Sequence, residues 1–314
     1  RKDGIMKRGK QMKVYYKHSF EGVTVPAIIQ NGSYFYIDMP VFENGVFDSW
    51  KRHSLDELEQ QLDKHWLVTA IPEGKSIRIH QLGDYNIIEA EWAHSPASYV
   101  KYIHDTVKAM NAEMVGLFKE SAGQQKKWDE RKVGFIAHDK PYKIDGKYKF
   151  GYDRISGDSS KLFRRDGAGW VLASIVAYAD GSLSLDGETM LSIEDVERLF
   201  VAGELAGEVD GEFTLIILNF ATLSVANNYQ VGSAEKLKEI KNIVNIMTGK
   251  EDLLDTCRKL YLEFLQGPHE ALRKQLRTAY EAIPEHERMF LGDMDTKDND
   301  YQRIIYHPEW KREV

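Results

Sequence analysis

One stretch of this chain occurs twice. Ser54-Leu-Asp-Glu-Leu-Glu59 is matched by Ser192-Ile-Glu-Asp-Val-Glu197. Both read as a helix start, with a Ser N-cap, acids in the first turn and then an apolar stripe. The stripe is Leu55, Leu58 and Leu62 in one copy and Ile193, Val196 and Phe200 in the other. The offset stays at 138 residues through Leu67 and Leu205, then Ile71 and Val209. Upstream, Asn44-Gly45 and Asp180-Gly181 are hairpin-type turns between strand-like segments. Downstream, Pro72-Glu-Gly74 and Asp210-Gly211 are turns that lead into Ser76–His80 and Glu212–Ile217. Each copy therefore reads strand, tight turn, strand, short helix, strand, turn, strand. The fold class expected is α+β, with two related small antiparallel β-rich modules at 12–94 and 132–230.

Helices follow each copy. Ser95-Pro96 supplies a cap and a first-turn proline. Tyr99, Val100, Ile103, Val107, Met110, Met114, Leu117 and Phe118 then recur at helical spacing. A long linking helix is expected over 95–131. After the second copy, Ala234–Met247, Leu253–Leu265 and His269–Ala282 read as a C-terminal helical bundle at 231–285. Breaks fall at Thr248-Gly249, Gly267-Pro268 and Pro284. Residues 286–314 read as an irregular acidic tail, in which Ile304–Tyr306 forms a short strand or coil.

Composition narrows the function classes. The 314 residues are 42% hydrophobic and 29% charged, which excludes collagen and wholesale disorder. The single cysteine, Cys257, permits no intrachain disulfide and fits a reducing cytoplasm. No apolar run approaches a membrane span. Net charge is -7, so a globally basic nucleic-acid binder is not indicated. The charge is uneven, however. Residues 1–17 carry seven Lys/Arg against one Asp, and 119–165 carry thirteen basic against seven acidic side chains. Residues 166–232 carry one Arg against eleven acids. Such asymmetry marks either an interaction surface or offset faces of one fold.

The first copy holds Phe42-Glu-Asn-Gly45, then Asp48-Ser-Trp50, then Trp66-Leu-Val and Pro72-Glu-Gly74, then His80-Gln-Leu82-Gly83. That succession resembles a small bacterial domain family of unknown function. The family's pattern is an Asp-Gly turn, a Trp, a short helix, Trp-Val, Pro-x-Gly and His-x-Leu-Gly. The likeness covers about residues 42–85. The second copy keeps Asp180-Gly181 and the helix but lacks the Trp and the His-x-Leu-Gly. The resemblance implies a bacterial, cytoplasmic protein, and it transfers no catalytic residue.

Candidate chemistry is sparse. No Walker-type or dinucleotide-binding glycine loop is present. The nearest approach to an anion site is Arg154, Lys161, Arg164 and Arg165, flanking Ser156-Gly157-Asp-Ser-Ser160 in an expected loop. Arg78 and His80 share a strand face and, with Glu91, are a candidate polar pocket. Tyr15, Tyr34 and Tyr36 are candidate partner-binding aromatics on the first strands. Cys257 falls on an apolar helix face and reads as a buried small hydrophobe. Glu73-Gly-Lys75 reads as a tight turn, not a nuclease motif. Asp293, Asp295, Asp298 and Asp300 lack the glycine and terminal Glu of an EF-hand loop. No metal or cofactor is expected.

Three function classes remain. The first is a non-enzymatic protein-interaction module: a defence component, a toxin-neutralising protein or an adaptor, with a protein partner. The second is an enzyme acting on a phosphorylated small molecule or nucleotide through the anion site at 154–165. The third is a nucleic-acid binder using the basic N-terminal arm and residues 119–165.

Overall fold

Gly45 and Gly181 turn their hairpins at φ of 77° and 82°, left-handed values that favour glycine. Around them the chain builds the same series of elements twice. The computed structural model describes residues 13–16, 20–119, 135–144, 147–292 and 298–310. The first module runs β1 (Lys13–Tyr16), β2 (Phe20–Asn31), β3 (Ser33–Phe42), β4 (Val46–Asp48) and β5 (Arg52–Ser54). It continues through α1 (Leu58–Asp63), β6 (Leu67–Val68), β7 (Ser76–Ile79), β8 (Gly83–Trp92) and α2 (Pro96–Met110). The second module runs β9 (Phe135–Ile144), β10 (Lys147–Asp166), β11 (Gly169–Tyr178), β12 (Leu183–Leu185) and β13 (Thr189–Leu191). It ends with α3 (Ile193–Val201), β14 (Leu205–Ala206), β15 (Glu212–Ile217), β16 (Ala221–Gln230) and α4 (Ser233–Met247).

Local signals explain the helix starts. The Ser54 backbone N–H donates to the Glu57 carboxylate at 2.7 Å, and that of Ser192 to Asp195 at 2.8 Å. Both complete a capping box. The stripe behind the first cap, Leu55, Leu58 and Leu62, is buried.

Strand pairing joins the modules twice. The order β11-β15-β16-β8-β7-β3-β2-β1-β9-β10 returns to β11 and closes a ring of ten strands. Both joins obey a two-fold rule. In β8 and β16, Trp92 pairs with Ala221 at one end and Gly83 with Gln230 at the other, while Ile87 meets Val225 between them. At the opposite join Val14 pairs with Ile136. Val14 stands opposite Gly22, and Ile136 opposite Gly157. Gly22 lies beneath Phe42 and Gly157 beneath Tyr178, so the two glycines are equivalents. A Cβ on either would come within 2.6 Å of the ring above it. The chain thus holds within itself the isologous contact of a two-fold dimer.

The structure corrects three helix expectations. The helix begun at Pro96 ends at Met110, well short of residue 131. Asn111 leaves helical geometry, and its side-chain amide donates to the carbonyls of Glu43 and Val115. Met114, Leu117 and Phe118 then pack on the first module from a loop. Second, α4 is the counterpart of α2 and belongs to the second module. Its Ile240 and Ile243 pack in one core with Leu162, Ala173 and Ile175. Third, the tail beyond 286 holds regular structure. After α5 (Leu253–Gln266) and α6 (Glu270–Ala282) come a 3-10 turn, Glu285–Phe290, and α7 (Asp298–Tyr306). Tyr301, Ile304 and Ile305 share one face of α7 and join Cys257, Leu276 and Tyr280 in a separate core. No helix among the described residues is long and apolar enough to cross a membrane.

Candidate functional site

On α4 two charged residues face inward. The side chains of Lys236 and Glu239 have no solvent exposure. The Lys236 ammonium donates to Glu239 Oε2 at 2.7 Å, to Ser160 Oγ at 3.2 Å and to the Gln81 carbonyl. Its three donors are therefore filled. Ser160 Oγ donates to Glu239 Oε1 at 2.5 Å, and His286 Nε2 lies 2.7 Å from Glu239 Oε2. Burial pulls the Lys236 ammonium below its ordinary pKa, against the opposing pull of Glu239. Burial would raise the Glu239 carboxyl, but hydrogen bonds from His286 and the charge of Lys236 hold it below the usual range. With Glu239 ionised, His286 Nε2 carries the proton and donates. Four parts of the chain meet in this knot: β10, the β7–β8 turn, α4 and the 3-10 turn.

A cleft of about 1050 Å³ opens over the knot. Its walls are β3, β7, β10 and the 3-10 turn, which contributes His286, Glu287, Met289 and Phe290. Trp50 stands on the rim, 51% exposed, with its backbone in the left-handed region at φ 67°. That conformation is costly for a bulky residue and is held by the packing of Trp50 on Phe35 and Trp66. Tyr229, Met289 and Phe290 are 56%, 60% and 49% exposed around the same opening. Glu287 also lines the cleft. Burial, then the charge of Glu239, pushes its carboxyl up to about 6. Glu239, His286 and Glu287 bring ligand atoms within 4.8 Å of one another, but the Lys236 ammonium already occupies the Glu239 carboxylate.

The residues singled out in the sequence are placed as follows. Arg154, Lys161, Arg164 and Arg165 stand on β10, a strand and not a loop, and they do not converge. Arg154 lies 4.0 Å from Glu21, Lys161 is paired with Asp38, and Arg164 lies 3.4 Å from Asp186. The Arg165 guanidinium sits 5.2 Å over the Trp170 ring. Arg78 and His80 do meet at the cleft, but Glu91 does not join them. Glu91 pairs with Thr222 toward the far end of β8, and Asp84 takes its place, 3.5 Å from Arg78. Tyr36 is buried, and its hydroxyl donates to Asp38 at 2.8 Å, so it is no outward-facing platform. Tyr34 is half-buried against the core. The Tyr15 side chain, residues 1–12 and 120–134, and Asp293 and Asp295 lie outside the described residues. Cys257 is fully buried, and burial pushes its thiol up to about 12.

Sequence reasoning missed Trp50 as a rim residue and missed Lys236, Glu239, His286 and Glu287 altogether. One signal was available for two of them. Aligning α2 with α4 sets Tyr99 against Lys236 and Tyr102 against Glu239. Charge in place of aromatics on an inward helix face is an anomaly worth pursuing.

No curated protein and no solved structure matches this chain. Two family models do. Residues 252–313 match a domain of unknown function (DUF7639), the stretch that holds α5, α6, the 3-10 turn and α7. Residues 10–114 and 147–251 each match a second one. Both boundaries place the helices α2 and α4 inside the repeat, as the two-fold pairing does. With about two thirds of its length matched in these two stretches, the chain belongs to the family described as a domain of unknown function (DUF7638) and carries that domain twice.

Proposed function

We propose that the protein is an interaction module that seats an extended segment of a protein partner in this cleft. One observation carries the reading: Trp50, Tyr229, Met289 and Phe290 stand largely exposed around a single opening. Exposed apolar side chains gathered in one place, with polar groups between them, mark interaction sites. Aromatic residues are the usual anchors of such sites. The charged groups beneath the rim point the same way. Lys236 and Glu239 are saturated by internal partners, which suits a rigid floor better than a reacting group. The carboxylate partners of Arg154, Lys161 and Arg164 weigh against a phosphate ligand on β10. A sole thiol that is buried suits a reducing compartment, where we set the encounter.

The test is a displayed library of random heptapeptides, panned against the full chain. Enriched sequences are then made as labelled peptides and titrated by fluorescence anisotropy. Truncating an anchor typically costs about 2 kcal/mol or more, so the double variant Trp50→Ala/Phe290→Ala should weaken binding by at least about 30-fold. If no peptide is enriched, or if the double variant binds as well as the parent, the cleft is not the docking site.

A further inference from the structure

We infer that the segment seated in the cleft presents a lysine or arginine side chain, whose cationic end meets Asp84 and Glu287. The inference rests on the interaction reading above and narrows it to a ligand chemistry.

The charges of the cleft are unbalanced. Asp38, Asp84, Asp158 and Glu287 line it, against Arg78 and Lys161. Both cations are already engaged. Lys161 is paired with Asp38 and donates to Ser174 Oγ at 2.7 Å. Arg78 reaches Asp84 Oδ2 at 3.5 Å, leaving the other oxygen, Oδ1, with no hydrogen-bond partner. The Asp84 side chain is 27% exposed, so its carboxylate can be approached from the cleft while Oδ1 itself lies just beneath the surface. A ligand cation would compete there with Arg78, whose own side chain is half exposed. His286 Nδ1 is a second buried atom lining the cleft without a partner. Its ring donates through Nε2 to Glu239. The unpartnered carboxylate oxygen of Asp84 therefore calls for a donor. An anionic ligand would face four carboxylates, and a neutral apolar one would leave the Asp84 oxygen unmet.

The rim suits the rest of such a side chain. Trp50, Phe35, Tyr229 and Phe290 offer aromatic surface to an aliphatic stem, with the charged head passing beyond. The chain already shows the attraction in place: the Arg78 guanidinium lies 5.7 Å over the Phe35 ring.

The panned peptides decide the point. Enriched sequences should share a Lys or Arg at one position. Replacing that residue by norleucine in a synthetic peptide should weaken binding to the full chain by roughly tenfold or more, the loss expected for a charge-assisted hydrogen bond. Asp84→Asn and Glu287→Gln should each weaken the basic peptide and leave its norleucine version unchanged. A thermal melt of each variant confirms that it is folded, and the norleucine peptide needs no protein variant at all. Enrichment of acidic or uncharged sequences, or equal binding of the norleucine peptide, overturns the cationic inference while the interaction reading stands. No enrichment of any kind removes both.

Discussion

The two ends of the β8–β16 join are built on equivalent backbone and filled in opposite ways. At one end Tyr99 of α2 packs with His94, Tyr102 and Phe220, and its hydroxyl donates to the Pro26 carbonyl at 2.9 Å. His94 donates to the carbonyl of Asn219, in the turn before β16. At the other end Lys236 replaces Tyr99, Glu239 replaces Tyr102, and Lys236 donates to the carbonyl of Gln81, in the turn before β8. Gln81 and Asn219 share the left-handed backbone, at φ 64° and 59°. The aromatic end packs ring against ring. The ionic end takes its remaining partners from Ser160 and from His286 of the C-terminal unit. A duplicated scaffold therefore keeps one end as core and frees the other to organise a cleft.

The ionic end should be the more brittle of the two. Removing one member of a buried pair leaves the other uncompensated, at a cost of about 3–5 kcal/mol. Lys236→Ala and Glu239→Ala should each lose that much in urea unfolding of the full chain. The apolar double variant Lys236→Met/Glu239→Leu should lose less than either single one, because no charge is left stranded. If the double is as damaging as the singles, packing and not charge holds this end together.

Equivalent glycines test the symmetry itself. Gly22→Ala and Gly157→Ala both press a methyl onto a ring, Phe42 or Tyr178. Each should cost about 1–3 kcal/mol by overpacking. Similar losses in the two modules, read in the same unfolding assay, are expected from equivalent sites. A neutral substitution in one module alone would show that its ring moves aside and that the equivalence is only of the backbone. The aromatic end should be more forgiving. Tyr99→Phe keeps the packing and removes one hydrogen bond, for a loss of about 1 kcal/mol.

The duplication was legible because its signals are local. Ser54 and Ser192 announce their caps, and Gly45 and Gly181 their turns, within a few residues. Ring closure was not legible, because Val14–Ile136 and Ile87–Val225 join residues far apart in sequence. The anion site failed for a related reason. Ser156-Gly157-Asp-Ser-Ser160 has loop composition, yet β10 carries it as strand because β9 and β11 pair on either side. Gly157 is there to admit the Tyr178 ring, not to bend the chain. Strand alternation set Arg78 and His80 on one surface; both line the cleft, His80 from the turn after β7. Glu91 was assigned to them by proximity in sequence, but the long β8 carries it away from the cleft. His286 carried no local signal at all, since its role depends on where the C-terminal unit docks.

Glu287 offers the finest probe of the difference between the two ends. It faces Glu239 and Lys236 on α4, its neighbour His286, and Asp252 at the start of α5. Its folded pKa, about 6, lies above the ordinary 4.5. The folded state therefore holds this proton more tightly than the unfolded chain does. The stabilisation is complete below the ordinary value and is lost as pH rises through about 6. Glu287→Gln removes that dependence. Thermal melts from pH 4 to 7.5 should show the variant matching the parent at the acid end and exceeding it above pH 6. Tyr99, whose hydroxyl burial raises well above its ordinary value, keeps its proton throughout, so Tyr99→Phe should shift the melts equally at every pH. Parallel profiles for Glu287→Gln would mean that the carboxyl is solvated and not crowded by Glu239. If the profiles diverge as expected while the same variant loses affinity for a basic peptide, the charge at 287 is kept against the interest of stability. That is the pattern of a residue retained for binding.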